Sequence, residues 1–217
     1  MHSFDRIDDH EKIVFIHIPK TAGTSVNHFF RQLIGHDRVG WLGIEFNMDE
    51  LPLAERMGEF RIIGGHFTAV QASRIPFPLI RFSTVREPVS RVISYYRHAW
   101  GIPSEAKAME LTGDILTDLD KKFGSLVTNQ QCRFLGIREG QDLKEFFSAN
   151  DKLHVYLVEQ SGQMLKKIAS ALHLPMHEMP VENVGKGPLI EPTPAVVDKV
   201  KSITKRDEDL YEFLLAN

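Results

Sequence analysis

From Ile13 to Ile18 the chain is apolar at nearly every position, interrupted only by His17 and rich in β-branched residues. A continuous run of this kind, without alternation, predicts a strand covered on both faces. At Thr24 the period changes: Val26, Phe29, Phe30 and Leu33 recur at helical spacing as far as Ile34. Arg61 to His66 (RIIGGH) and Leu79 to Val85 (LIRFSTV) predict two more strands, and Leu153 to Val158 (LHVYLV) a fourth. Pro88 suits the first turn of a helix whose stripe is Val89, Val92, Ile93 and Tyr96. Gln163 to Leu172 reads as a return helix, and Ala195 to Leu215 again has helical periodicity. Strands alternating with helices predict an α/β protein, a three-layer sandwich around a mostly parallel central sheet. Residues 101–150 show helices and loops, expected as a helical cover over the sheet's open edge on the substrate side. Residues 1–11 are polar and are expected to form a flexible N-terminus.

Composition narrows the function classes. With 217 residues the chain suits a single domain that buries roughly 70% of its unfolded surface. The formal net charge of −3 offers no global attraction for nucleic acid or an anionic membrane, so any anion site must be local. One cysteine, Cys132, rules out an internal disulfide and a cysteine-based zinc site. No segment has the length or apolarity of a signal peptide or membrane span, which predicts a soluble protein of the cytoplasm.

Candidate chemistry gathers where strands end. In open α/β sheets, ligands bind beyond the carboxyl ends of the strands. The first strand ends in Pro19-Lys20, the second in His66, the third in Arg86. Lys20 opens Thr21-Ala22-Gly23-Thr24-Ser25, small residues that let backbone N–H groups approach an anion at a helix N-terminus. The hydroxyls of Thr21, Thr24 and Ser25 can add hydrogen bonds; alternatively Thr24 or Ser25 simply caps the helix. The lysine opens this loop, whereas the common P-loop closes on glycine-lysine-hydroxyl. Arg86 offers a planar fork for phosphate oxygens, with Ser94 two turns into the following helix. The plainer alternatives pair Arg86 with Glu87 or Glu159 and turn Ser94 onto its own helix. His66, after Gly64 and Gly65, titrates near neutrality and can deprotonate an alcohol. No metal site is expected: His173 and His177 are separated by Pro175 and lack a third ligand.

At these residues the sequence resembles the sulfotransferases that use 3′-phosphoadenosine 5′-phosphosulfate (PAPS), close to the carbohydrate group that includes heparan sulfate 2-O-sulfotransferase. HIPKTAGTS resembles that family's 5′-phosphosulfate loop and VREPVSRVISYY its 3′-phosphate motif. GGHF, NQQCRFLG (129–136) and ENVGKG (182–187) are weaker pieces in the family's order. The resemblance implies a P-loop-nucleotide-kinase-like sulfotransferase fold. It implies that Lys20 stabilises the departing adenosine 3′,5′-diphosphate (PAP) and that Thr21, Ala22, Gly23, Thr24 and Ser25 hold the 5′-phosphosulfate. It further implies that Arg86 and Ser94 bind the 3′-phosphate, that Lys186 adds a phosphate contact, and that His66 is the general base. Where heparan sulfate 2-O-sulfotransferase carries an HGH arrangement, this chain has Gly64-Gly65-His66.

The acceptor expected from the resemblance is a hydroxyl-bearing glycan. Residues 36–57 and 100–150 are expected to shape its groove, with Arg97, His98, Trp100 and Arg133 as candidate contacts. Two other classes stay open on sequence alone: a P-loop-like kinase or nucleotide hydrolase, and a non-catalytic anion- or glycan-binding module of the same fold.

Overall fold

The computed structural model describes residues 6–175 and 192–217. Its first half alternates β1 (Lys12–Ile16), α1 (Gly23–Ile34), β2 (Val39–Trp41), α2 (Ala54–Gly58), β3 (Ile62–Gly65), α3 (Ala69–Ala72) and β4 (Leu79–Val85). α4 (Pro88–Trp100) then leads into α5 (Pro103–Ala108), α6 (Ile115–Leu119), α7 (Lys122–Val127), α8 (Gln130–Leu135) and α9 (Leu143–Ala149). β5 (Leu153–Leu157), α10 (Ser161–Ala171), α11 (Pro194–Ile203) and α12 (Lys205–Ala216) complete the chain.

The five strands form one sheet in the order β2-β3-β1-β4-β5, with every neighbouring pair parallel. Successive side chains of a strand point to opposite faces, so β1 feeds two cores at once. Ile13 and Phe15 pack with Val26, Phe29, Phe30 and Leu33 of α1 and with Met164, Leu165 and Ile168 of α10. Val14 and Ile16 face the other way, towards a core that includes Ala69, Cys132, Leu135, Phe146 and Leu210. The result is the helix–sheet–helix sandwich that the alternating pattern predicts. A third cluster, built from Val89, Val92, Tyr96, Phe123, Val127, Val196 and Val200, holds α4, α7 and α11 together beside the sheet.

Several expectations need correction. Residues 7–11 are part of the fold: Ile7 is buried in the α1/α10 core, and the Arg61 guanidinium donates to the carbonyls of Asp8, Asp9 and Glu11. β2 was not expected, because three residues centred on Gly40 carry no periodic signal. The glycine is needed where Phe60 packs, since a Cβ there would lie 2.4 Å from its ring. The C-terminal helix is two helices, broken at Thr204, whose buried hydroxyl donates to Val200 O (2.8 Å). Within 101–150, α8 and α9 contribute Cys132, Leu135, Leu143 and Phe146 to the core, so these helices form part of a structural layer.

Candidate active site

Strand register decides what meets at the sheet's carboxyl rim. Ile16 of β1 pairs with Gly65 of β3 on one side and Ser83 of β4 on the other. Lys20, His66 and Arg86 therefore follow three adjacent strands off the same edge. Their proximity registers electrostatically: burial, then Arg86, lowers the pKa of the Lys20 ammonium, with Glu105 opposing. Lys20 and Arg86 are both half-buried, and among the described residues neither has a carboxylate ion-pair partner. Two neighbouring cations that no described carboxylate ion-pairs form a site suited to an anion.

The loop between β1 and α1 is strained. Lys20 (φ 70°) and Ala22 (φ 65°) both adopt the left-handed conformation, although neither is glycine. Such residues cost on the order of 1 kcal/mol each and persist only where the surroundings hold them. Here β4 does so from behind: the Ser83 hydroxyl donates to Ile16 O (2.8 Å), and that of Thr84 donates to Thr21 O (2.6 Å). Thr21 is fully buried and its hydroxyl donates to Ile18 O (2.9 Å). This corrects the expectation that the Thr21 hydroxyl is available to a phosphate; the residue secures the loop's shape instead. α1 begins after Ala22 with no side-chain cap, so neither Thr24 nor Ser25 caps it. Thr24 is exposed and Ser25 buried at this uncapped end, where amide N–H groups and the helix dipole favour negative charge.

His66 has a defined tautomer. Its Nδ1 lies 2.9 Å from the carbonyl oxygen of His17. A carbonyl can only accept, so Nδ1 carries the proton and Nε2 presents a lone pair. The residue is exposed overall, yet desolvation is the largest influence on its imidazole and lowers its pKa below the ordinary histidine value. The His17 hydrogen bond and Glu105 pull more weakly upward. The lowered pKa favours the neutral ring.

Its ring stacks on that of His17, with centroids 4.1 Å apart and planes inclined by 26°. His17 is buried, and among the described residues its Nδ1 has no hydrogen-bond partner. Burial first, then His66 and Lys20, drives its pKa well below the usual value. His17 also lies against Gly23, so closely that a Cβ there would fall 2.0 Å from Nε2. Gly64 and Gly65 are needed for a related reason: a Cβ would meet the Trp41 ring at 2.1 Å and Leu42 Cβ at 2.5 Å.

Arg86 follows β4 without pairing to Glu87, whose carboxylate accepts from Val89 N–H (2.9 Å) and Ser90 N–H (2.6 Å) and caps α4. Ser94 is half-buried in α4. Lys186 lies outside the described residues, as do the rest of ENVGKG and His177. Of the acceptor candidates, His98 sits 3.9 Å from the Glu105 carboxylate, Trp100 stacks on Tyr96, and Arg133 donates to Leu126 O. Arg97 is half-buried in α4. Glu105 of α5 was not foreseen; its charge reaches Lys20, His66 and Tyr95, which adds an acid near this rim. His17, Ser83 and Thr84 were also missed, although each is a polar residue inside an apolar strand run. Among the described residues no three His, Cys, Asp or Glu side chains converge as metal ligands, and no helix is long and apolar enough to cross a membrane.

A sequence profile of the sulfotransferase family matches residues 4–154. No curated protein matches the chain in sequence. Among solved structures, a sulfotransferase from Alicyclobacillus acidocaldarius is similar over 95% of this chain and 96% of its own, at 12% identity and a TM-score of 0.56. Mouse sulfotransferase SULT7A1, solved in complex with PAP, is similar over 80% of this chain at 13% identity and a TM-score of 0.50. The match spans 62% of the mouse protein's length.

Proposed function

Because this chain belongs to the sulfotransferase family, we propose that it moves the sulfuryl group of PAPS to a hydroxyl of an acceptor, releasing PAP. The observation that carries this reading is the convergence of Lys20, His66 and Arg86 at three adjacent strand ends beside the strained loop. The PAP bound in the mouse structure supports the choice of nucleotide.

The donor's 5′-phosphosulfate lies on the amides that follow Ala22, and its 3′-phosphate on Arg86 and Ser94. His66 Nε2 takes the acceptor's proton as the oxygen attacks sulfur in line. The bond from sulfur to the bridging oxygen breaks, and that oxygen leaves with the electron pair on PAP. Lys20 meets the charge that appears there. Because this charge exists only as the bond breaks, the ammonium accelerates chemistry more than it tightens binding. Losing one such donor costs about a hundredfold in rate or more.

The motif resemblance supports a glycan as acceptor, and Glu105 beside His66 supports an uncharged or cationic hydroxyl compound over a polyanion. The lone buried Cys132 suits a reducing compartment such as the cytoplasm.

Calorimetric titration with PAP against ATP plus Mg²⁺ tests the nucleotide. PAP is expected to bind and ATP to bind weakly; a preference for ATP would move the assignment to phosphoryl transfer. Transfer from labelled PAPS to a glycan panel tests the acceptor. Lys20→Ala and His66→Ala should abolish most turnover while PAP still binds. Full activity in both variants would refute the roles given to them.

A further inference from the structure

Arg86 is the first residue beyond the sheet's ladder, which ends with Val85 beside Leu157. Both of its backbone groups are nevertheless held, and by one side chain. The carboxamide of Gln131 accepts from Arg86 N–H through Oε1 (2.9 Å) and donates to Arg86 O through Nε2 (2.9 Å). Gln131 is fully buried. An amide N–H can only donate and a carbonyl only accept, so the orientation of the carboxamide is unambiguous.

Gln131 is itself anchored. The N–H groups of Gln131 and Cys132 donate to the two carboxylate oxygens of Asp207 in α12 (3.1 and 2.9 Å). Asn129, just before α8, returns the arrangement: its Oδ1 accepts from the N–H groups of Arg206 (2.9 Å) and Asp207 (3.3 Å). The buried Arg91 guanidinium closes the network, donating to Gln130 Oε1 (2.6 Å) and lying 3.8 Å from Asp207.

We propose that Gln131 is a positioning residue for nucleotide binding: held by Asp207 of the C-terminal helix, it fixes the backbone of Arg86 and thereby aims the guanidinium at the 3′-phosphate. This rests on the reading of Arg86 as the 3′-phosphate ligand. Glutamine suits the task because it offers a donor and an acceptor at once; glutamate keeps only the acceptor, and leucine keeps neither. The 3′-phosphate does not change charge during transfer, so its ligand contributes equally to ground state and transition state. Loosening Arg86 should raise KM for PAPS and leave kcat nearly untouched.

The test compares PAP with 5′-AMP, which lacks the 3′-phosphate, by titration calorimetry. Gln131→Leu is expected to weaken PAP about tenfold or more and to leave 5′-AMP within about twofold. Gln131→Glu, which retains the acceptor for Arg86 N–H, should fall between the two and stands in if the leucine variant does not fold. In an Arg86→Ala background the same substitutions should change PAP affinity less than about twofold, since their effect passes through Arg86. Equal loss of PAP and 5′-AMP, or the same loss with and without Arg86, would reduce Gln131 to a structural residue and overturn the proposal. Unchanged PAP affinity in Arg86→Ala alone would instead remove the 3′-phosphate clamp itself. A normal loss there, with unchanged affinity in both Gln131 variants, would remove only the role of Gln131.

Discussion

Gly23→Ala is the most informative single perturbation of the site. Gly23 opens α1, where alanine ought to help by up to about 1 kcal/mol through helix propensity. The structure predicts the opposite sign. A Cβ at this position would lie 2.0, 2.1 and 2.3 Å from Nε2, Cδ2 and Cε1 of His17. Ordinary contacts of this kind sit near 3.5–4.0 Å, so the ring must retreat by roughly 1.5 Å. Its room to retreat is small, because the imidazole is buried and stacks on the His66 ring 4.1 Å away. Overpacking of this kind costs about 1–3 kcal/mol, which outweighs the propensity gain and leaves a net loss of roughly 0–2 kcal/mol. In a chain of this size that lowers Tm by at most about 8 °C. Activity should suffer more, because displacing a base by about 1 Å can cost a hundredfold in kcat/KM. The decisive measurement is a double-mutant cycle, followed by calorimetric unfolding. With His17→Ala the obstructing ring is gone, and adding Gly23→Ala should be neutral or stabilising. If Gly23→Ala costs as much without the imidazole as with it, the close approach of His17 is not what makes the glycine necessary.

Other outcomes follow from the same geometry. With His66 as the proposed base, the pH profile of kcat/KM should rise through a pKa below the ordinary histidine value of about 6.5, because desolvation lowers its pKa. Towards alkaline pH it should fall through a pKa below that of ordinary lysine as Lys20 loses its proton; an acid limb centred above 6.5 would contradict the assignment of His66. His17 should make stability pH-dependent. Its folded pKa is depressed, chiefly by burial, so its contribution is complete above the unfolded value of about 6.5 and is lost as pH falls towards the folded one. The expected slope is about 1.4 kcal/mol per pH unit in that window, and urea titrations of His17→Phe should show a shallower one. Thr84→Val, nearly isosteric, strips the buried Thr21 carbonyl of its donor and should cost about 1–3 kcal/mol while weakening PAP binding; wild-type stability would show that the loop is not held from β4.

The sequence by itself was enough for the architecture and for the rim on which the candidate residues lie. Four of the five strands are largely apolar runs whose residues are covered on both faces, and the helices between them carry clear stripes, so local pattern and global fold agree. Lys20, His66 and Arg86 could be placed on one rim because strands in such a sheet share a direction, and chemistry collects at their carboxyl ends. Only tertiary structure decided what each polar group does there. The Thr21 hydroxyl reads as a ligand in a motif and is a buried strut in space, because the nearest acceptor is the Ile18 carbonyl. His17 looks like an interruption of a strand, yet its ring and carbonyl orient His66. Asp207, 76 residues from Gln131, has no local signal, and Gln131, 45 residues from Arg86, shows only within the weak NQQCRFLG piece, which does not reveal its partner. Hydrogen bonds between segments so far apart depend on sub-ångström placement of whole helices, and periodicity carries no information about that.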